Sequence, residues 1–280
     1  MKVYGKPSRI IASLLFLLLG TEAYAASQLM VAPTRVVFDG KSRAAQVTVI
    51  NSGDATGTYR IKVINKRMNE DGQIEDVESA NPDELFADKM IRYSPRQVVL
   101  EPGKSQVVRL SLRKPAKLKD GEYRSHLLFQ AIPENAGTDI QSAVKQGGIS
   151  VKLTAIVSVS IPVIVRHGDT KVSVAFTSIK HQAAPDEKSL PSLLLELERK
   201  GNQSVYGDFL TEYVNAKGNS IVIGQINGVA IYTPNEKRTI KIPLTAPPGV
   251  ELKNGVVNVY YRSPQNQGGA VLAQTQLKLQ

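Results

Sequence analysis

Short stretches of alternating apolar and polar residues follow one another along most of the chain, and turn residues separate them. Gln46–Ile50 alternates and ends in the turn-like run Asn51-Ser52-Gly53-Asp54, and Val107–Leu112 is another such stretch further on. An alternation with a period of two is typical of a strand with one buried face. Strands at this spacing, with turn signals between them, predict an all-β sandwich.

The pattern is interrupted at His167-Gly168-Asp169, which is typical of a short linker, and then resumes. The later stretches are Lys171–Ile179, Leu193–Arg199, Thr239–Leu244, Val256–Tyr261 and Val271–Leu279. An immunoglobulin-like sandwich needs about 100 residues. We therefore predict two such sandwich domains, residues 26–166 and residues 167–280, with a cleft between them.

The acidic stretch from Glu70 to Glu84 has the weakest strand pattern of the first half. Asp71-Gly72 is a favoured turn dipeptide of β-hairpins. We therefore predict a hairpin loop here, followed by an irregular connection.

The N-terminus has the three parts of a secretory signal peptide. Three basic residues precede the apolar run Ile10–Gly20, and Ala23-Tyr24-Ala25 supplies the small residues of a cleavage site. A membrane anchor is the alternative, but it needs about 20 apolar residues. We therefore predict that residues 1–25 are a signal peptide cleaved after Ala25, and that the mature chain is exported without membrane insertion.

The composition argues against most enzyme classes. The chain has no cysteine, which excludes disulfides, thiolate metal sites and cysteine nucleophiles, and its three histidines are dispersed. It has no Gly-x-Ser-x-Gly elbow, and its glycines mark turns instead of a phosphate-binding loop. We therefore expect no catalytic residue, metal or cofactor.

The formal net charge is +10, but both signs are mixed along both halves of the chain. A nucleic-acid-binding surface would cluster its basic residues on one face. The charge therefore predicts a solvated basic surface and no nucleic-acid partner.

The stretch Ile149–Val165 is much longer than its neighbours. Every odd-numbered residue in it is apolar, and the even-numbered ones are mainly polar, apart from Ile156, Pro162 and Ile164. Such a strand would run for about 55 Å, and one sandwich core does not cover that length. It is either a long core strand broken at Pro162 or an edge strand that pairs with an incoming chain by β-augmentation.

Several motifs resemble those of the PapD-like periplasmic chaperones of the chaperone–usher pilus pathway. They are Pro33–Gly40, Tyr93–Arg96 with Leu100–Gly103 and Gln106–Arg109, the two strands from Gly121 to Pro133 and up to Arg166, and Ser204–Gly207, which resembles a turn of the second domain. The resemblance implies a periplasmic chaperone that stabilises pilus or fimbrial subunits by donor-strand complementation and delivers them to an outer-membrane usher. The alternative is a structural fimbrial subunit or a secreted adhesion protein with immunoglobulin-like domains.

The resemblance also assigns roles to residues. Arg35 matches the arginine that anchors the C-terminal carboxylate of a subunit; the alternative for Arg35 is a surface salt bridge. Glu122 and Arg166 match two members of a buried ion-pair network that fixes the domains; the alternative is an exposed pair. The donor residues on the strand edge are Val151, Leu153, Ala155, Val157 and Val159.

One position departs from the family pattern. Pro162 stands where these chaperones have a second cleft cation, a lysine, and Lys152 lies about 33 Å further along an extended strand. A proline lacks the N–H that a strand ladder needs, so we expect Pro162 at a bulge or an edge. The sequence leaves open which subunit, usher and fibre are involved, and whether the free protein covers its strand edge by self-association.

Overall fold

The computed structural model describes residues 28–77, 79–133, 158–186 and 188–279. In these ranges the chain forms eighteen strands and two short 3-10 helices, Asp88–Met90 and Gln265–Gln267. The prediction of an all-β fold with two immunoglobulin-like sandwiches is confirmed. Among the same residues, no helix has the length and apolarity to cross a membrane.

The first sandwich packs a four-stranded sheet, in the order β1-β3-β9-β7, against a five-stranded sheet, in the order β2-β11-β10-β4-β8. A separate hairpin, β5–β6, turns around Asp71-Gly72 and confirms the hairpin predicted there. The strands are β1 Leu29–Ala32, β2 Val36–Phe38, β3 Ala44–Asn51, β4 Gly57–Ile64, β5 Lys66–Met68, β6 Ile74–Asp76, β7 Ile91–Ser94, β8 Gln97–Leu100, β9 Ser105–Leu112, β10 Gly121–Ile132 and β11 Ser158–His167.

The second sandwich packs the sheet β12-β13-β16 against the sheet β15-β14-β17-β18. Its strands are β12 Val172–Gln182, β13 Ser192–Gly201, β14 Val205–Val214, β15 Ser220–Ile231, β16 Lys237–Pro243, β17 Gly255–Arg262 and β18 Val271–Leu279. The expected turn at Ser204–Gly207 is wrong beyond Ser204. Val205 and Gly207 already belong to β14. Like Phe209, they are among the alternate residues of this strand that are buried against the core.

Each sandwich has its own cluster of buried apolar side chains. The first cluster includes Phe38, Leu127 and Phe129, and the second includes Phe209, which stacks on Tyr261 with ring centroids 4.6 Å apart. The apolar odd-numbered residues of β11 that the structure describes face the first core; they are Val159, Ile161, Val163 and Val165. The alternation that predicted the strand therefore also identifies its buried face.

A small apolar contact joins the two sandwiches. Ile164, an exception to the even-numbered polar pattern, is buried there together with Met68 of the hairpin and with Ala230 and Tyr232 of the second sandwich. The backbone N–H of Glu122 also donates to the carbonyl of Asn202 across this boundary at 3.1 Å. The outer face of the five-stranded sheet is therefore turned towards the second sandwich.

The β5–β6 hairpin reaches across to the second sandwich. Asn235 Nδ2 donates to the carbonyl of Met68 at 2.7 Å, and the backbone N–H of Thr239 donates to the carbonyl of Glu70 at 2.9 Å. Gly72 lies directly on the guanidinium group of Arg238. The hairpin thus ties the first sandwich to the second.

Candidate anion-binding cleft

Strand register places polar side chains in rows on the face that looks towards the second sandwich. Ile164 on β11 pairs with Val37 on β2 and with Arg124 on β10. One row further along, Arg166 pairs with Glu122. Even-numbered residues of these strands share the face, because side chains alternate along a strand.

The row on the other side of Ile164 contains Pro162 and His126, which are paired between β11 and β10. Arg35 immediately precedes β2, whose first residue pairs with Val163. Arg35 therefore continues the row of Pro162, beside the position where the family pattern calls for a lysine.

Arg35 stacks on an aromatic ring of the second sandwich. Its guanidinium carbon lies 4.0 Å from the ring centroid of Tyr206, which is a close cation–π distance. Its Nε is buried without a hydrogen-bond partner. No carboxylate of the described residues forms an ion pair with Arg35, so the structure does not place it in the surface salt bridge considered as the alternative.

A cavity of about 340 Å³ opens beside Arg35 between the sandwiches. The first sandwich contributes Val37, Asp39 and Arg166 to its walls, and the second contributes Tyr206 among others. Both charged and apolar groups therefore face the space, which suits the end of a polypeptide better than a wholly apolar ligand.

Glu122 and Arg166 form an ion pair at the boundary. Arg166 Nε donates to Glu122 Oε2 at 3.1 Å; the side chain of Arg166 is 24% exposed and that of Glu122 is fully buried. The alternative of an exposed pair therefore does not describe this geometry. Their part in fixing the domains stays a prediction.

Arg124 is a buried cation that the sequence analysis missed. It is 4% exposed, and its guanidinium carbon lies 4.3 Å from the ring centroid of Tyr232. Its Nε and Nη1 are buried without hydrogen-bond partners. The only signal in the sequence is its even number, which places it on the same face as Glu122.

His126 carries no positive charge at neutral pH. Burial, reinforced by the charges of Arg124 and Lys66, lowers the pKa of its imidazole to about 3. It therefore does not replace the missing lysine, although it lies directly opposite Pro162.

Strand β11 has one open side near the cleft. β2 pairs only with Val163–Val165, so the described segment 158–162 has β10 on one side and no strand of the described residues on the other. Pro162 thus lies at an edge, as its missing N–H requires.

Val159 packs against the core of its own sandwich, and its role as a donor residue stays a prediction. The other predicted donor residues, Val151, Leu153, Ala155 and Val157, lie outside the described residues, as does the predicted signal peptide.

In the part of the chain that the structure describes, no group of three or more His, Asp or Glu side chains is placed to hold a metal ion. Apart from the carboxylate of Asp39, the charged and aromatic groups at the cavity are the cations Arg35 and Arg166 and the ring of Tyr206. Such groups bind anions, and a carboxylate in particular fits the fork of an arginine.

Comparison with protein-family models matches residues 28–167 to the pili and flagellar-assembly chaperone, PapD N-terminal domain. Among solved structures, the chain is similar to the YadV chaperone, with 11% identity, a TM-score of 0.44, and coverage of 90% of this chain and 99% of that chain. It is similar to the CupB2 chaperone of Pseudomonas aeruginosa, with 13% identity, a TM-score of 0.43, and coverage of 90% and 100%.

A further similar structure is the Salmonella enterica SafA pilin in complex with the SafB chaperone, with 13% identity, a TM-score of 0.43, and coverage of 92% of this chain and 99% of that chain. Comparison with curated protein sequences gives no match.

Proposed function

Since the chain belongs to the pili and flagellar-assembly chaperones, whose PapD N-terminal domain model matches half of it, we propose that it binds pilus or fimbrial subunits by donor-strand complementation and delivers them to an outer-membrane usher. It acts by binding, without catalysis, cofactor or metal. A free subunit exposes an apolar groove where its last strand is missing, and a chaperone strand protects that groove from aggregation.

The observation that carries this proposal is the position of Arg35. Its guanidinium group has no carboxylate partner among the described residues, stacks on Tyr206 of the other sandwich, and faces a cavity of about 340 Å³. An arginine in such a cleft is suited to bind the C-terminal carboxylate of a subunit through paired hydrogen bonds. Exclusion of water strengthens that interaction.

The open side of β11 supports the second half of the mechanism. A subunit anchored at Arg35 would run along segment 158–162, where β11 has no partner strand on one side among the described residues. The predicted alternation then continues the same strand through Val151, Leu153, Ala155 and Val157, whose parity matches the residues that fill the chaperone's own core. Backbone hydrogen bonds would supply affinity, and alternate side chains would supply specificity.

We further propose that residues 1–25 direct export to the periplasm, and that residues 26–166 and 167–280 are the two domains. Two separate buried clusters support the division. N-terminal sequencing of periplasmic protein should give Ala26 as the first residue, and recovery only in membranes with Met1 retained would contradict the export step.

The test of the proposed function is co-purification. The chain, tagged at its C-terminus, is expressed in its natural host, isolated from periplasm, and its bound proteins are identified by mass spectrometry. We expect a stoichiometric partner of one incomplete immunoglobulin-like sandwich with a free C-terminal carboxylate. Recovery of the chain itself as a component of surface fibres would instead identify it as a structural subunit.

A further inference from the structure

Two guanidinium groups stack on two neighbouring tyrosines at the boundary between the sandwiches. Arg124 stacks on the ring of Tyr232 at 4.3 Å, and Arg35 stacks on Tyr206, which packs beside Tyr232 in the contact between the sandwiches. Burial raises the pKa of Tyr232; the charges of Arg35 and Arg124 oppose that rise, and the charge of Glu122 adds to it. Two cations therefore act on a single O–H donor, with one carboxylate opposing them.

The carboxylates nearest to Arg124 are already engaged. Glu84 accepts two hydrogen bonds from Arg67, at 2.5 and 2.6 Å, and Glu122 accepts one from Arg166 at 3.1 Å. Both attract Arg124 only from beyond ion-pair distance. A buried guanidinium with two unpaired N–H groups is costly to maintain. An anion bound in the cleft would lower that cost.

Two further cations near the cleft have partners elsewhere. Arg166 is paired with Glu122, and Arg238 donates to the carbonyl of Ala230 and lies under the β5–β6 hairpin. His126 is neutral at physiological pH. Arg262 also has a buried Nε without a partner, but it lies on β17 and stacks on Tyr260, whereas Arg124 lies one row from Pro162 on the strand that pairs with β11. Arg124 is therefore our candidate for the positive charge that Pro162 does not provide.

We propose that Tyr232 and Arg124 complete the carboxylate site that begins at Arg35. The Tyr232 hydroxyl, which forms no hydrogen bond with the described residues, donates one to the bound carboxylate. Arg124 holds the phenol ring in place and adds a second positive charge from inside the protein. This inference rests on the proposed function, because the carboxylate is that of a bound subunit's last residue.

Arg124 is a positioning residue in this scheme, since 4% exposure leaves it little direct access to a ligand. Its charge still acts through space, because a low-dielectric environment weakens a field much less than water does. A purely structural role, in which Arg124 only packs against Tyr232, would stabilise the cleft equally for any ligand. The two roles therefore differ in whether Arg124 distinguishes a charged from a neutral chain end.

The experiment compares two synthetic peptides with the C-terminal strand sequence of the co-purified subunit, one ending in a free carboxylate and the other in an amide. Their affinities for the mature chain are measured by calorimetry. Wild type should prefer the acid by about 100-fold, the equivalent of one or two charge-assisted hydrogen bonds. Arg124→Gln and Tyr232→Phe should each lower affinity for the acid about tenfold and leave affinity for the amide unchanged.

Two variants calibrate the result. Arg124→Lys keeps the charge and should restore most of the preference for the acid. Arg60→Gln removes a charge from an exposed position on β4, on the face of the five-stranded sheet that also carries Arg124. It should leave both affinities within about twofold of wild type.

The outcomes separate this inference from the proposed function. If wild type does not distinguish the acid from the amide, the carboxylate anchor itself is wrong. If Arg35→Ala loses the preference for the acid that wild type shows, but Arg124→Gln and Tyr232→Phe keep that preference in full, the assignment of Arg124 and Tyr232 is overturned. If Arg124→Gln does not fold, the acid-to-amide ratio of Tyr232→Phe decides in the same way.

Discussion

Arg35 of the first sandwich lies across the ring of Tyr206 in the second, with 4.0 Å between the guanidinium carbon and the ring centroid. The contact exists only while the two sandwiches keep their relative orientation. The proposed binding of a subunit at Arg35 would therefore be coupled to the interface between them. The β5–β6 hairpin hydrogen-bonds across that interface, and the ion pair of Glu122 with Arg166 lies beside it within the first sandwich.

Arg35→Ala should abolish subunit capture and leave the fold intact. Truncating one partner of a desolvated charge pair lowers binding by at least about thirtyfold. Loss of the stacking on Tyr206 should cost only about 0.5–2 kcal/mol of stability. Co-purification of subunit with the tagged variant measures the first effect, and thermal unfolding measures the second.

Arg96→Ala is the matched control. Arg96 stacks on Tyr93 at 4.8 Å within the first sandwich, so its removal deletes a similar contact away from the cleft. It should leave capture unchanged. Equal capture by the Arg35 and Arg96 variants would remove Arg35 from the binding site.

His126 should make the protein lose stability as the pH falls from about 6.5 towards 3. Its pKa is about 3 in the folded chain, against an ordinary value of 6.5, chiefly because of burial. Between these values the unfolded chain binds a proton that the folded chain does not, so acidification favours unfolding by up to about 1.4 kcal/mol per pH unit. Above pH 6.5 both states are neutral at this position and the effect vanishes.

Urea denaturation at several pH values tests this slope. His126→Gln should flatten the dependence between pH 6.5 and 3, whereas His181→Gln, at an exposed position on β12, should not. Glu84 contributes acid sensitivity of the same sign in all three proteins, because the Arg67 hydrogen bonds lower its pKa. Superimposable profiles for wild type and His126→Gln would show that His126 titrates normally.

The alternation of apolar and polar residues predicts the strands correctly wherever it is unbroken. It does not predict them where glycines interrupt it. The sequence pattern predicts neither β14 nor β15, and Ser204–Gly207 is expected as a turn instead; Gly207 lies in β14, and Gly224 and Gly228 lie in β15. In the structure, a Cβ at Gly207 or Gly224 would meet neighbouring backbone within 3.0 Å, so these glycines permit close strand packing. That requirement is visible only once the strands are placed side by side.

The cleft was predictable only in part for a related reason. Arg35 is recognisable because a motif surrounds it, whereas Arg124 and Tyr232 belong to no motif and are far apart in sequence. Ile164 looked like an irregularity in the alternation. Its apolar character is explained by the second sandwich, which buries the face that would otherwise be exposed.

Gly72→Ala should loosen the attachment of the β5–β6 hairpin to the second sandwich. Gly72 has φ +82°, and an added Cβ would overlap the guanidinium group of Arg238. Gly40→Ala is the matched control, since Gly40 has φ +97° with nothing within 4 Å of its would-be Cβ. The control should cost about 1–2 kcal/mol for the left-handed backbone alone.

The Arg238 guanidinium is the end of a flexible side chain, but its hydrogen bond to the Ala230 carbonyl holds it in place. Displacing it should make Gly72→Ala destabilise the protein by about 1 kcal/mol more than Gly40→Ala, measured by urea denaturation. In an Arg238→Ala background the excess should disappear, because the obstructing group is gone. An excess that persists there would mean that the hairpin does not depend on the Gly72–Arg238 contact.

Leu153→Asp should block subunit capture, whereas Lys152→Asp should be far milder. Successive side chains of a strand point to opposite faces, so only one parity of the proposed donor strand can fill a subunit's groove. The odd-numbered residues are the apolar set, and a carboxylate at position 153 would be forced unpaired into an apolar groove. Both substitutions introduce an aspartate, and they do so at adjacent positions. The main difference between them is therefore the face of the strand on which the new carboxylate lies.

Thermal unfolding of the free variants distinguishes the two interpretations of this stretch. If it is an exposed donor edge, both variants should melt close to wild type, and only Leu153→Asp should fail to capture subunit from periplasm. If Leu153→Asp unfolds the isolated protein while Lys152→Asp does not, the stretch is a core strand of the chaperone itself. In that case donor-strand complementation through Val151, Leu153, Ala155 and Val157 is wrong, and the subunit must be held through the Arg35 cleft and the open side of segment 158–162.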